Sequence, residues 1–436
     1  MRRFILATML LLCLAAPRAD EPPQPEDPLR IAADSGNADA MLRLALEYYR
    51  GENRPRNPTV AALWFRRAAD AGRPEAHYNL AVMFRQGEGL PQSDYDAFGH
   101  FETASAAGIA DARLALADYL ISGVKPETNR DDPTPAIAPD YKRAMLLLRY
   151  LAAQDHPSGC RELAKQLLIA GASPNGTEQD FVEAAALLTR AAAHGDALSM
   201  RMLGNCYFAG IGVHSDYAKM LEYLTRAAEL GDADAIAQLG WSHEFGYGVP
   251  PDRARALEYY RKAAEQGSTL GLAKIGDFLL VGDILAPDLP RAIKFFREAA
   301  DADNPYALYK LGRCHADGVG VEYDPVQAVY CYSRAAELGE VNAQYFLGLA
   351  FLKGSGVAAN PSAAFHWFSE AAHQNDPRAL RELARCYYSG IGTEKDPEAG
   401  LECLTLAGKA GDEESNILLD MQNISTSEQA EVTSGF

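Results

Sequence analysis

Small and apolar residues recur along the chain with helical spacing, in segments that resemble one another. In one such segment Ala307, Leu308, Leu311 and Gly312 fall on positions i, i+1, i+4 and i+5. This spacing places them on one face of an α-helix, and the small residues allow a second helix to pack closely. The pattern therefore predicts amphipathic helices and not strands.

The same position of each segment holds leucine or isoleucine, usually followed by glycine or alanine. The series is Leu44, Leu80, Leu116, Leu163, Leu203, Leu239, Ile275, Leu311, Leu347 and Leu383, with Leu419 in an incomplete eleventh copy. From Leu203 onward every step is 36 residues long. A fixed period of this length indicates stacked supersecondary units. The sequence thus predicts an all-α, right-handed α/α superhelical solenoid of about ten 36-residue helix-turn-helix repeats.

Two further sets of equivalent repeat positions, which we call columns, divide each repeat into a first and a second helix. Glycine ends the first helix at Gly51, Gly87, Gly123, Gly210, Gly246, Gly282, Gly318, Gly354 and Gly390, and only the fourth repeat departs, with Ala170. The second helix is predicted to begin after an N-cap at Asn57, Ser93, Asp140, Asp180, Asp216, Asp252, Asp288, Asp324, Asn360 and Asp396. Glycine adopts the left-handed conformation at little cost, and Asn, Asp and Ser side chains accept hydrogen bonds from free backbone amides.

The combination of Leu-Gly, Gly-x-Gly-Val, an N-cap aspartate, a bulky pair, Ala-Ala and glycine resembles the Sel-one-like repeat (SLR) family. It is clearest from Leu203 to Gly231, and the resemblance extends over residues 36–411. The 36-residue step separates these repeats from the related tetratricopeptide repeats, whose step is 34. The resemblance implies an adaptor that assembles protein complexes.

The chain divides into five segments. Residues 1–19 read as a signal peptide, because Arg2 and Arg3 precede a short apolar run. We place its cleavage after Ala19, which predicts a periplasmic or secreted protein; an uncleaved anchor is the alternative. Residues 20–35 form a linker with a partial N-terminal capping helix, and 36–411 the repeats, with an insertion in repeat three at about 125–139. Residues 412–422 form a C-terminal capping helix, and 423–436 a disordered tail.

The charge of the chain restricts the class of partner. The 436 residues carry a formal net charge of −18. Binding to phosphate backbones needs Lys and Arg, so broad nucleic-acid binding is disfavoured. No stretch after the signal peptide is long and apolar enough to insert into a membrane. We expect a protein or peptide partner.

Signatures of catalysis, of metal sites and of cofactor sites are nearly absent from the sequence. There is no phosphate-binding Lys-Ser/Thr loop and no His-Glu-x-x-His motif, so we expect no enzyme, no cofactor and no metal. Ser122 and Lys125 match the Ser-x-x-Lys of penicillin-recognising enzymes, but the companion Lys-Thr-Gly is missing. β-Lactam binding or weak hydrolase activity remains a minor alternative.

Four cysteines occupy matching repeat positions. Cys314 and Cys331 are 17 residues apart, as are Cys386 and Cys403. In some other repeats the position of the first cysteine holds a small residue and that of the second holds a large one. This pairing of sizes suggests that the two positions face each other. In an oxidising compartment each pair would form a disulfide between the two helices of its repeat. Cys160 and Cys206 are left unpaired, and the alternative is that all six cysteines after the signal peptide are small buried residues.

Three columns on the first helix share one face and supply candidate partner-binding residues. They hold Tyr78, Phe208, Trp241, Tyr309, Tyr345 and Tyr388, and also Arg85, Arg161, Lys165, Arg201, Arg313, Arg381 and Arg385. Only Asp118, Glu244 and Asp277 oppose these basic residues. Aromatic residues and arginine are enriched at interfaces, so this face predicts a binding groove for a partner of acidic character. Packing between repeats is the alternative role, and glycan or peptidoglycan binding by the aromatic residues is the alternative function.

Overall fold

The structure is a computed structural model and describes residues 27–126, 136–173 and 175–419. Most of the described chain is helical. The predicted signal peptide, the linker up to residue 26 and the predicted disordered tail lie outside the described residues. The partial capping helix is present as α1, Pro28–Asp34, and a C-terminal capping helix is present from 413 to 419.

Ten helix pairs follow α1, as the repeat count predicts. The helices are α2 Ala38–Arg50, α3 Pro58–Asp70, α4 Pro74–Gln86, α5 Asp94–Ala106, α6 Ala110–Ser122, α7 Tyr141–Ala153, α8 Pro157–Gly171, α9 Glu178–Ala193, α10 Ala197–Ala209, α11 Tyr217–Glu229, α12 Ala233–Phe245, α13 Arg253–Glu265, α14 Thr269–Val281, α15 Leu289–Asp301, α16 Pro305–Asp317, α17 Pro325–Glu337, α18 Val341–Lys353, α19 Pro361–His373, α20 Pro377–Ser389 and α21 Pro397–Lys409. Even-numbered helices are the first helices of their repeats, and odd-numbered helices from α3 onward are the second. None of these helices is long and apolar enough to cross a membrane.

The chain forms two compact units, residues 1–194 and 195–436. In the first unit α1 to α9 pack as a stack in which each helix contacts the next. In the second unit α10 to α21 do the same, and the first helices α12, α14 and α16 also contact one another directly. Each unit is an α/α solenoid, which confirms the predicted all-α class.

Helix ends follow the predicted columns with one correction. Gly354, for example, ends α18 in the left-handed conformation at φ 69°, and its amide bonds to the carbonyl of Ala350. The N-cap predicted at Asp180 is wrong, because α9 begins three residues earlier. Thr177 caps it instead, and Asp180 completes a capping box by accepting a hydrogen bond from the Thr177 backbone amide at 2.9 Å.

The glycine of the Leu-Gly pair has a packing role that the sequence alone does not show. In four repeats of the second unit, a buried ring of the second helix lies directly on this glycine. A Cβ atom there would meet that ring at 2.6–2.9 Å, for the pairs Gly240 with Tyr260, Gly276 with Phe296, Gly312 with Tyr332 and Gly348 with Phe368. Real Cβ atoms do not approach so closely, so the glycine makes room for the ring.

The second glycine of the Gly-x-Gly turn brings successive repeats into backbone contact. Gly356 has φ 72°, and a Cβ built on it would lie 2.0 Å from the carbonyl oxygen of Pro325, where the previous second helix begins. Gly392 meets Pro361 in the same way at 2.1 Å. These glycines therefore serve both the turn and the stacking of repeats.

The insertion in repeat three leaves the helix pair intact. Val124 and Ile137 exchange backbone hydrogen bonds of 2.8 and 2.9 Å, which closes the base of the insertion. Asp140 then caps α7 as predicted. Residues 127–135 of the insertion lie outside the described residues.

The predicted disulfides are not present in the structure. Cys314, Cys331, Cys386 and Cys403 are all free, buried thiols. Each pair belongs to one hydrophobic cluster, so the cysteines fill core volume as small apolar residues. Burial raises the pKa of all four thiols to about 11, which leaves them poor nucleophiles at neutral pH.

A histidine pair makes the stability of the first unit depend on pH. The Nδ1 atoms of His77 on α4 and His100 on α5 lie 2.9 Å apart, so one ring donates to the other. Burial first, and then His77, lower the pKa of His100; Asp96 and Asp70 oppose this shift, and Arg66 adds to it. A lowered pKa means that the unfolded chain binds the proton more tightly.

We therefore expect stability to be complete above the unfolded pKa of about 6.5 and to fall as the pH drops through that value. The melting temperature measured at pH 7.5 and 5.5 checks this. In His100→Gln the difference in melting temperature between pH 7.5 and pH 5.5 should be smaller. Part of the difference should remain, because burial also lowers the pKa of His243. An unchanged difference in the variant would contradict the role of the pair.

Candidate partner-binding surfaces

Two of the predicted binding arginines join consecutive first helices. Arg201 on α10 lies 3.0 Å from Asp232, which is the N-cap of α12 and accepts from the Ala235 amide. Arg381 on α20 pairs at 2.5 Å with Asp412, which precedes the helix that starts at 413. Both arginine side chains are only 21% exposed. They therefore hold the stack together and have little capacity left for a partner.

Four other predicted cations also lie beside carboxylates. Arg161 and Lys165 pair with Glu162 at 3.1 and 2.9 Å in the first unit. In the second unit Arg313 pairs with Asp317 at 2.9 Å, and Arg385 pairs with Glu382 at 2.8 Å. Because these carboxylates lie outside the three predicted columns, the excess of positive charge that suggested an acidic partner is largely neutralised.

Three of the predicted aromatic residues pack between helices of the second unit. Tyr309 stacks on Phe346 with centroids 5.9 Å apart, and Tyr345 lies 6.1 Å from Phe368. A Cβ on Gly400 would touch the Tyr388 ring at 3.0 Å. Packing between repeats is therefore a large part of their role.

The space beside these side chains includes open clefts. Tyr309 and Arg313 line one of about 340 Å³, and Arg381, Arg385 and Tyr388 line another of about 470 Å³. Such clefts lie within the size range of ligand sites.

The other two aromatic residues of the second unit belong to a larger, partly exposed group. Phe208 and Trp241 have centroids 4.9 Å apart, and both lie against Tyr247, at 5.0 and 4.5 Å. Tyr217 and Phe245 extend the group and are 41% and 52% exposed. We call these five residues the aromatic cluster. Tyr217, Phe245 and Tyr247 were not among the predicted binding residues, because they lie outside the three columns.

A largely buried charge network connects first helices of the same unit. Lys274 on α14 approaches Glu244 at 3.4 Å, and Lys310 on α16 approaches Asp277 at 2.8 Å. Tyr260 donates to Glu244 at 2.6 Å, and Tyr306 donates to Asp277. The sequence places Glu244 and Asp277 on the predicted binding face. In the structure their carboxylates are instead paired with lysine and tyrosine side chains of neighbouring helices.

The first unit brings Tyr78, Arg85 and Lys165 together along one groove. It has a volume of about 490 Å³ and lies across α4, α6 and α8. Arg161, the fourth candidate of this unit, points instead to Glu162. The groove has both charged and apolar walls, in contrast to the aromatic cluster.

The catalytic alternative gains no support from the geometry. The Ser122 hydroxyl donates to the backbone carbonyl of Asp118 at 3.0 Å and to that of Gly123 at 3.3 Å. A nucleophile needs a base at hydrogen-bonding distance instead. Among the described residues there is no group of three or more His, Cys, Asp and Glu side chains arranged to hold a metal ion.

Comparison with known proteins identifies the repeat. A model described as the Sel1 repeat matches residues 38–72, 74–109, 157–196, 197–232, 233–268, 269–304, 305–340, 341–376 and 377–412. The helix pair it omits, α6 and α7, is the one that carries the insertion. No curated protein matches the chain.

Solved structures similar to this chain include repeat proteins of several bacteria. One is c5321, a protective antigen of uropathogenic Escherichia coli with an SLR fold, at 27% identity over 92% of this chain and 82% of that one, with a TM-score of 0.49. Another is a Sel1 repeat protein from Oxalobacter formigenes, at 25% identity over 74% and 89%, with a TM-score of 0.48.

Proposed function

The chain belongs to the Sel1 repeat family, whose members are generally scaffolds for protein interactions, and on that premise we propose that it binds a protein partner through the aromatic cluster. The single observation that carries the proposal is a group of five adjoining rings at one place in the second unit, of which Tyr217 and Phe245 are exposed and the other three are half-buried. Exposed aromatic side chains of this kind supply most of the binding energy at protein interfaces. Rings that served packing alone would be covered by neighbouring helices, as Phe368 is.

Site-specific photo-crosslinking tests this proposal. We expect p-benzoylphenylalanine at position 245 to crosslink one predominant protein in the native host. The matched control is position 330 on α17, where Tyr330 is 55% exposed against 52% for Phe245. Crosslinking of the same proteins in equal yield from both positions would contradict the proposal.

Glycan binding is the second candidate, and the same cluster favours it. Sugar rings stack on accessible aromatic faces, and the cluster offers two exposed rings and three half-buried ones. Sedimentation with purified cell wall separates the two candidates. Co-sedimentation that Phe245→Ala abolishes, without a protein adduct at position 245, would favour a glycan.

We also propose that the mature protein acts outside the cytoplasm, since residues 1–19 have the pattern of a signal peptide. The intact mass of the protein from its native host should correspond to a chain that starts at Asp20. Alkylation of the unfolded protein before reduction should then label two cysteines, Cys160 and Cys206, if Cys314–Cys331 and Cys386–Cys403 are oxidised there, and all six if they are not. A chain that retains residues 1–19 would contradict export with cleavage.

A further inference from the structure

The groove of the first unit has an apolar floor between charged walls. On α6, Asp111, Leu114, Asp118 and Ile121 follow one another at spacings of three and four residues, which places them on one helix face. Leu148 of α7 adds to the floor. The walls are α4, with Tyr78 and Arg85, and α8, with Glu162 and Lys165.

Two charges of opposite sign in this groove lack an ion partner. Arg85 is exposed and lies over the Phe101 ring at 5.7 Å, and no carboxylate of the described residues lies within 4 Å of its guanidinium. Asp118 is exposed, and no cation of the described residues lies within 4 Å of its carboxylate. The other charged residues differ, since Glu162 and Lys165 pair at 2.9 Å, and Asp111 lies 3.9 Å from His156.

These charges exclude partners of a single sign. A uniformly acidic segment would meet the carboxylates of Asp111, Asp118 and Glu162. A uniformly basic segment would meet Arg85 and Lys165. Like charges brought together in this way lower affinity and suppress wrong partners. A segment with both signs satisfies Arg85 and Asp118 without disturbing the existing pairs.

We propose that this groove binds an extended peptide segment that carries one acidic and one basic side chain beside an apolar residue. The acidic side chain pairs with Arg85, the basic one pairs with Asp118, and the apolar one lies on Leu114 and Ile121, which are partly exposed. The Tyr78 hydroxyl at the wall is available to the peptide backbone. This site is separate from the aromatic cluster and takes a chemically different ligand.

The test uses immobilised hexapeptides as probes for the full-length protein. One set contains one Glu and one Lys separated by zero to three Leu or Ala residues, in both orders; the other sets contain only Glu or only Lys as charged residues. We expect the best mixed peptide to bind at least tenfold more tightly than any peptide of single sign. Fluorescence anisotropy with that peptide gives the affinities.

Charge reversal gives a readout that a structural role would not produce. Arg85→Glu and Asp118→Lys should each lower affinity for the best peptide about tenfold, because each leaves one charge facing its like. The double variant should prefer the opposite order of Glu and Lys. Arg143→Glu is the control and should bind like the wild type, because Arg143 forms an exposed pair with Glu102 and neither residue lines the groove.

Three results would overturn the proposal. The first is tightest binding to peptides of a single sign. The second is a loss of affinity in Arg143→Glu equal to that in Arg85→Glu. The third is binding of no peptide by the wild-type protein above the level of the support without peptide. Circular dichroism establishes that the variants remain folded. The crosslink at position 245 tests the aromatic cluster independently, so the two proposals fail separately.

Discussion

Replacing Gly356 by alanine is expected to lower the free energy of unfolding of the second unit by about 2–5 kcal/mol. A left-handed conformation costs an L-residue about 1–2 kcal/mol, and forcing a methyl group into a packed contact adds about 1–3 kcal/mol. The atom that the new Cβ would meet is the Pro325 carbonyl oxygen, 2.0 Å away. This oxygen belongs to the backbone of α17 and cannot rotate aside.

Gly339→Ala is the matched control, because it isolates the conformational cost. Gly339 has φ 86°, and a Cβ there would meet nothing within 4 Å. We therefore expect a loss of about 1 kcal/mol. Urea denaturation followed by circular dichroism gives both values. Equal losses in the two variants would mean that the contact between Gly356 and Pro325 does not stack the repeats.

The second large effect concerns the ring that lies on the Leu-Gly glycine. Phe368 is completely buried, and Phe368→Ala should cost about 3–5 kcal/mol. Gly348→Ala should also destabilise the wild type, because the new Cβ would lie 2.6 Å from the Phe368 ring. In a helix interior, alanine otherwise favours stability over glycine by about 1 kcal/mol.

The double variant Gly348→Ala/Phe368→Ala separates the packing effect from the helix propensity of alanine. Once Phe368 is alanine, the clash is gone, and Gly348→Ala should become neutral or stabilising. The effect of Gly348→Ala on the free energy of unfolding thus changes sign when Phe368 is replaced. A double-mutant cycle measures this coupling. Additive losses in the cycle would contradict the account of why glycine occupies this column.

The fold could be predicted in detail because residues that favour helix ends, glycine at the C-terminus and Asn, Asp or Ser at the N-cap, recur at fixed positions of each repeat. The 36-residue step and the columns of glycine and N-cap residues define the helix pairs of the structure. The error at Asp180 has a local cause, since Thr177 and Asp180 form a reciprocal pair of hydrogen bonds that starts α9 earlier. A Thr-x-x-Asp pattern was present in the sequence and could have shown this.

The candidate sites were harder to predict. Helical spacing shows which side chains are adjacent on one helix, but it does not show which residues of other helices they pair with. Arg201 and Arg381 share the binding columns, but their carboxylate partners cap the next first helix 31 residues later. Residues such as Asp232, Asn304 and Asp376 form this second N-cap column, which the sequence analysis did not use. With it, the two arginines could have been recognised as structural.

The aromatic cluster was predicted in part for a similar reason. Phe208 and Trp241 lie in the binding columns, whereas Tyr247 occupies the middle of a Gly-x-Gly turn. Other turns of this kind hold Ile211, Val319 or Ser355 at that position, so an aromatic residue there was the available signal.

The most direct test of the central claim is the affinity of the crosslinked partner for Tyr217→Ala/Phe245→Ala and for the control Tyr323→Ala/Tyr330→Ala. The control residues are 62% and 55% exposed, so both variants remove two exposed rings from the second unit. Titration calorimetry should show about a 30-fold loss for the first variant, corresponding to about 2 kcal/mol, and no loss for the control. Equal affinities of the two variants for the partner would contradict binding through the aromatic cluster.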